Sequence, residues 1–292
     1  MKSIRSAIML LGACLLALVT RGAEIRLAGS DLLGGALTSA LEKFGRENDV
    51  HIAAGLDGTR PGLDRLRAGD ADVVVFALPP DENPPGDPFV VRVLGYQPAV
   101  IVVHEAAPLT QLTLAQAQGI FAATGAQSVS LWGELGLTGD WRTRTIAVNA
   151  VAPGSALTVP LFRRFALNGA EMKTLASYAS LERVLERVRS SENAIGLVPV
   201  VPSAGSGLRA IALAPSVRDP AHLPTAEALH DGSYPWRLPL YIAFRREAAP
   251  RLLTFLRFLL SDECGEALAQ ARFVPLPVSA RNQLVFELEE LN

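Results

Sequence analysis

The chain has 292 residues, of which 49% are hydrophobic and 19% charged, with a formal net charge of −2. That length allows two domains, or one large one, with a substantial core, and the composition excludes a disordered chain. The slight acidic excess excludes a surface basic enough to track a nucleic acid.

The N-terminal segment differs in kind from the rest. Lys2 and Arg5 precede an uncharged, mostly apolar run from Ala7 to Val19, followed by Thr20-Arg21-Gly22-Ala23. The run is too short to span a bilayer, which takes about 20 residues. It has the positive end, apolar middle and small-residue exit of a secretory signal. Residues 1–23 are therefore expected to be a signal peptide cleaved after Ala23, leaving a periplasmic or secreted chain. Leu11-Gly12-Ala13-Cys14 resembles a bacterial lipobox, so a lipoprotein anchored through Cys14 is the alternative, although the apolar run continues past it to Val19. Removal of Lys2, Arg5 and Arg21 takes the formal charge from −2 to −5. Cys264 is then the one remaining cysteine, so no internal disulfide is expected, and its helical-looking surroundings make it a core residue.

Ile25 to Ala28 reads as a first strand and Ser30 as an N-cap. Leu33, Leu37, Leu41 and Phe44 then recur at helical spacing to about Arg46. His51 to Ala54 is a second strand, and Gly58-Thr59-Arg60-Pro61 follows, with Pro61 suited to the first turn of a helix carrying Leu63 and Leu66. Asp72 leads into the unbroken apolar strand Val73 to Ala77. Val-rich strands alternating with helices predict a parallel sheet covered on both faces. Pro79 to Pro88 is a proline-rich loop, and Phe89 to Val103 holds two apolar runs broken near Gln97-Pro98. Alanine-rich helices and loops come next.

Residues 145–167 combine a strand (Ile146 to Val148), a small-residue turn (Ala152-Pro153-Gly154-Ser155) and a helical face (Val159, Phe162, Phe165, Ala166). Strand, turn and helix in that order aim free backbone N–H groups at an anion. The turns at Gly29-Ser30 and Gly58-Thr59 share the pattern, and three such turns suggest one site closed from several sides. The plainer reading of each is a turn with an N-cap. With Ser155 as N-cap, Pro160 sits past the first turn; with Thr158 as N-cap, Pro160 falls inside it, three residues further on. A helix around Leu181 to Val188, a strand at Ala194 to Val198 and a linker at Ser203 to Gly207 follow. The chain then offers a strand at Leu238 to Phe244, an amphipathic helix from about Pro250, a strand at Phe273 to Pro277 and a closing helix to about Glu289.

Signatures of catalysis are missing. There is no G-x-S-x-G elbow, no G-x-x-x-x-G-K-[ST] loop, and the four histidines are scattered without an H-E-x-x-H pair. No enzyme, metal or cofactor is expected.

Several segments resemble the phosphate-binding family of periplasmic proteins that serve ABC importers. Gly29-Ser30-Asp31 is similar to that family's opening motif, Asp72-Val73-Val74 to its Gly-x-x-Asp strand, and the stretch from Leu112 to Phe121 with Trp132-Gly133-Glu134-Leu135 to its helix hallmark. Ala194-Ile195-Gly196-Leu197-Val198, the segment Tyr234 to Tyr241 and the strand Phe273 to Pro277 extend the resemblance over nearly all of residues 24–280. It implies an α/β chain of the type II periplasmic binding protein fold, with two α/β lobes and a ligand cleft between them. Lobe 1 would comprise 24–103 plus 206–292 and lobe 2 residues 104–205.

It also implies a monomer that binds phosphate or a related small anion and meets the membrane component of an ABC transporter. The ligand set implied is Ser30, Asp31, Gly58, Thr59, Arg60, Gly154 and Ser155. The motif is degenerate: Val151 and Leu157 stand where the third loop usually has arginine and threonine, Leu78 where an arginine commonly follows the Asp72 strand, and Pro61 in place of a threonine. A doubly charged oxyanion needs opposite charge once out of water, and an arginine fork normally supplies the strong share. Arg60 either points into the cleft as a replacement or lies in solvent beside Asp57 or Asp64. The alternative function is an envelope interaction protein that keeps the fold and has lost oxyanion binding.

Overall fold

The computed structural model describes residues 23–79, 81–123, 128–152, 157–173 and 176–291. Residues 1–22 of the expected signal peptide, Cys14 among them, and the candidate ligands Gly154 and Ser155 lie outside the described residues.

In chain order the elements begin with β1 (Ala23–Gly29), α1 (Gly34–Asn48), β2 (Val50–Gly55), α2 (Thr59–Ala68), β3 (Val73–Ala77) and β4 (Phe89–Pro98). The middle of the chain holds β5 (Val100–His104), β6 (Gln111–Thr113), α3 (Leu114–Phe121), β7 (Ala147–Val151), α4 (Thr158–Ala166), β8 (Ala176–Tyr178), α5 (Leu181–Arg189), β9 (Ala194–Val198), β10 (Leu208–Ala210) and β11 (Ala212–Ala214). Last come α6 (Ala226–Asp231), β12 (Arg237–Arg245), α7 (Ala249–Leu259), α8 (Asp262–Gln270), β13 (Val274–Pro275) and α9 (Val278–Glu289).

Two main sheets result, in the orders β13-β4-β12-β3-β1-β2 and β10-β5-β9-β7-β8, with β11 and β6 as a small separate pair. The unbroken apolar strands are explained by cover on both faces. In the first sheet Val73 and Val75 face α1, α7 and α8, while Val74 and Phe76 face Leu63 and Leu66 of α2. In the second, Val100 and Val102 pack on α5, while Ile101 and Val103 join the core beneath α3 and α4. Leu37, Leu41 and Phe44 of α1 are all buried, and each such side chain contributes roughly 1.5–3 kcal/mol of burial. The α3 start is fixed by a reciprocal cap: Gln116 N donates to Thr113 Oγ1 at 3.1 Å, and Thr113 N donates to Gln116 Oε1 at 2.9 Å.

The first sheet is mixed, not parallel as the strand pattern predicts: β12 lies between β3 and β4 and runs antiparallel to both. β12 enters from the second sheet's side of the molecule, so its direction is set by a crossover and not by a βαβ unit. β7 extends to Val151, beyond the Ile146–Val148 run, because the buried Asn149 is satisfied. Its amide donates to Ala147 O at 2.7 Å and Ile195 O at 3.3 Å, and its Oδ1 accepts from the Tyr178 hydroxyl at 3.3 Å.

The chain passes between the sheets at Ala99 and returns between β11 and β12. The two passages are tied together: Ala99 N donates to Trp236 O, and the buried Tyr234 hydroxyl donates to Ala99 O, both at 2.9 Å. β10 pairs with β5, so the second sheet extends beyond residue 205.

Candidate functional site

β1, β2 and β3 are mutually parallel, and β4, antiparallel to β12 as β3 is, points the same way. Their carboxyl ends share one edge. In the second sheet β7 is parallel to β9. A cavity of about 300 Å³ lies where these edges meet, lined by residues 32–36 after β1, Gln97 near the end of β4, Leu157 and Thr158 at the start of α4, Pro199 after β9, and residues 270–272 at the end of α8. This is the crevice outside strand carboxyl ends in which open α/β sheets take ligands.

Two helices begin at the cavity. Neither α1, with Leu33 at its N-cap, nor α4, with Leu157, has a side-chain cap bond. Among the described residues no side chain caps either start, and a helix start of this kind carries roughly half a positive charge. α4 starts at Thr158, so Pro160 falls within its first turn, where the missing N–H costs little.

Arg272 brings the one cation among the described lining residues. Its backbone is left-handed, with φ +67°. Its guanidinium stands 3.9 Å from Glu182 Oε1, at the start of α5 on the second sheet. Hydrogen bonds from Glu182's own backbone N–H and from Ser180 lower the Glu182 carboxyl, with a smaller share from Arg272.

Of the sequence-derived candidates, the structure brings Ser30, Gly58 and Thr59 together at the carboxyl ends of β1 to β3. Ser30 N donates to Val75 O at 2.7 Å, and Gly58 N donates to Gly29 O at 2.8 Å. Space forces glycine here: a Cβ on Gly29 would sit 1.9 Å from Val75 O, and one on Gly62 would sit 2.9 Å from Gly29 Cα. The polar atoms are largely engaged with backbone. Ser30 Oγ accepts from Leu32 N at 3.3 Å, and Thr59 Oγ1 both donates to Ala77 O at 3.2 Å and accepts from Ala77 N at 3.3 Å. Asp31 is exposed at the start of a single 3-10 turn.

None of these residues lines the cavity. Arg60 does not enter it either: its side chain is 87% exposed, and Glu82, at 3.9 Å, is its paired carboxylate. That is the solvent alternative with a different neighbour, because Asp57 and Asp64 are paired with Arg65 and Arg67. Leu78 and Val151, where the resemblance leads one to expect cations, are core residues.

Outside the cavity, a second contact joins the two sheets' sides. Arg164 on α4 reaches Asp81 Oδ2 through Nε at 3.1 Å and Nη2 at 2.7 Å, and Glu82 Oε1 through Nη1 at 3.2 Å. Asp81 and Glu82 belong to the loop after β3. Among the described residues no helix is long and apolar enough to cross a membrane.

Two α/β sheets crossed twice by the chain, with a crevice at their strand ends, define a type II periplasmic binding protein fold. The match of residues 19–263 to the PBP superfamily domain extends this to the sequence, and the chain belongs to that family. The phosphate-binding protein PstS of Pseudomonas aeruginosa PAO1 is 26% identical over 285 residues, covering 89% of this chain and 85% of its own. An ABC-type phosphate transport receptor from Vibrio cholerae superposes with a TM-score of 0.67 at 20% identity, over 87% of this chain and 100% of its own. PstS from Borrelia burgdorferi does so with 0.69 at 14% identity, over 87% and 99%. A possible phosphate binding protein from Planctomyces limnophilus gives 0.65 at 19% identity, over 92% and 99%. With these three solved structures the likeness is one of fold.

Arg272, Thr158 and Gln97 are the site residues that sequence reasoning does not nominate as ligands. Thr158 is visible as a possible cap and Gln97-Pro98 as a break in an apolar run. Arg272 carries no local signal, because its place in the cavity depends on a segment far along the chain returning to β4.

Proposed function

We propose that this chain is an exported solute-binding protein of the phosphate-importer type, binding phosphate or a related small anion between its two sheets without chemical conversion. The carrying observation is the cavity itself: two helix starts, uncapped among the described residues, and one arginine converge at the strand carboxyl ends between the sheets. The P. aeruginosa relative, which matches this chain along most of its length, is a phosphate-binding protein, which supports the ligand class. The described lining residues include no carboxylate, histidine or cysteine for acid–base or nucleophilic work, which supports binding without turnover.

In this reading the two sheets with their helices are the two lobes. The second boundary is drawn between Ala214 and Arg237, because β10 is hydrogen-bonded into the second sheet. The mature chain acts outside the cytoplasm as a monomer and hands its ligand to the membrane component of an ABC transporter. Loss of oxyanion binding in favour of an envelope partner is the poorer reading, since the cleft retains donors and a cation.

Thermal unfolding of the mature protein, scanned against phosphate, sulfate, phosphonates and carboxylates, tests this directly. At a free ligand concentration a hundredfold above Kd, the bound state gains about 2.7 kcal/mol, a clear rise in midpoint. Superimposable curves with every anion would overturn the proposal.

A further inference from the structure

Resting on that anion-binding reading, we infer that Arg272 is the charge partner of the ligand in this chain, assisted by Thr158 and the open start of α1, and that the ligand is an oxyanion carrying a small carbon substituent, a phosphonate or phosphate monoester.

The charge argument comes first. Leu78 and Val151 are packed into cores and Arg60 lies in solvent, so none of them meets an anion in the cavity. Arg272 is the cation on its wall among the described residues. Its present partner, Glu182, is 73% exposed and contacts it at the long distance of 3.9 Å. Such a pair is weak in water, so an incoming anion can replace it. The guanidinium fork is suited to two oxygens of one phosphoryl group.

Thr158 supplies an independent observation. The residue is 2% exposed, lines the cavity wall, and its Oγ1 has no hydrogen-bond partner among the described residues. A buried hydroxyl without a partner is costly to the folded state. A ligand oxygen seated at the start of α4 would satisfy it once the side chain turns toward the cavity, because Oγ1 is closed off from water in this structure. The hydroxyl would donate to that oxygen.

The walls then select the ligand. Leu32, Ala36, Leu157, Pro199 and Ala271 place apolar side chains among the polar groups of the cavity, whose volume is about 300 Å³. That is more room than a bare tetrahedral oxyanion fills. A carbon substituent covers the apolar wall and displaces water that bare phosphate leaves behind.

Calorimetric titration of the mature protein with phosphate and with methyl-, ethyl- and propylphosphonate reads both parts. Affinity is expected to rise along the series, with propylphosphonate at least tenfold tighter than phosphate; phosphate binding as tightly as the phosphonates would overturn the substituent. Arg272→Gly removes the side chain at a left-handed position that glycine adopts freely, so the variant folds, and its affinity is expected to fall at least a hundredfold. Thr158→Val keeps the shape and removes the orphan hydroxyl. It should weaken binding about tenfold while leaving the urea midpoint unchanged or higher; a merely structural threonine would lower the midpoint and spare affinity. Glu182→Gln should tighten binding by freeing the guanidinium. Wild type that binds anions with the Arg272→Gly variant unchanged would overturn the assignment and leave the anion-binding reading standing. Wild type that binds none of the four would overturn both.

Discussion

Replacing Asp72 with asparagine tests whether the end of the first sheet remote from the cleft is held by charge. The Asp72 carboxylate accepts from Arg26 N at 2.8 Å, Arg26 Nε at 3.2 Å, Arg26 Nη2 at 2.9 Å and Arg251 Nη2 at 2.8 Å. Burial on its own would raise this carboxyl, but the bonds from Arg26 and Arg251 outweigh it and hold the pKa at about 2. An unfolded aspartate titrates near 3.9. The unfolded chain therefore binds the proton more tightly, and stability rises with pH across this range.

The contribution is complete above about pH 4 and disappears as pH falls through about 2. Two units correspond to roughly 2.5 kcal/mol at full strength. Arg26 and Arg251 are 44% and 53% exposed, so solvent screening reduces this to about 1 kcal/mol. Urea unfolding followed by circular dichroism from pH 7 to pH 2.5 should show wild type losing about 1 kcal/mol more than Asp72→Asn. Parallel curves for the two proteins would refute the electrostatic account. Anion affinity at pH 7 should be equal in both, because Asp72 precedes β3 and the cavity lies beyond its far end.

Thr59→Val removes the clip between α2 and β3 and should cost about 1 kcal/mol, seen as a fall of roughly 2–4 °C in thermal midpoint; an unchanged midpoint would show that the hydroxyl bears no structural share. Arg164→Glu sets like charges against Asp81 and Glu82 across the two sheets, so anion affinity should fall and the variant should recover some of it as salt rises. A variant with wild-type affinity at low salt would make that contact idle. Burial pushes the Cys264 thiol up to about 12, so a thiol reagent should label it only on unfolding, and rapid labelling of native protein would contradict its place in the core.

Much of the fold is legible in the sequence because the signals are local. Leu37, Leu41 and Phe44 mark one helix face, Val73 to Ala77 a strand covered on both sides, and Pro61 the first turn of α2. The strand at β7 is cut short in the sequence by Asn149, whose partners Ile195 and Tyr178 come from elsewhere in the chain. β10 and β11 are three residues each and owe their existence to edges offered by β5 and β6. The candidate site divides in the same way. Gly29, Ser30, Gly58 and Thr59 are readable because turn chemistry is local, and the structure brings them together. The cavity lies beside them and takes its cation from Arg272, which no motif marks. Leu78 and Val151 indicate that charge is missing from its usual places without indicating where it has gone.

The position of β12 has a consequence for the order in which the chain can fold. β3 and β4 are separated by a strand that lies about 160 residues later in the sequence, whereas the second sheet draws all its strands from residues 100–210. The second sheet can assemble while the first remains two unjoined pieces, and pairings so distant in sequence form slowly. Until β12 arrives, Val73 to Ala77 presents an open, wholly apolar edge of the kind that attracts other chains. On the proposed function, in which the chain is exported, this late keystone delays compaction until almost the whole sequence is available. The same delay leaves the unfinished chain in need of protection while it waits.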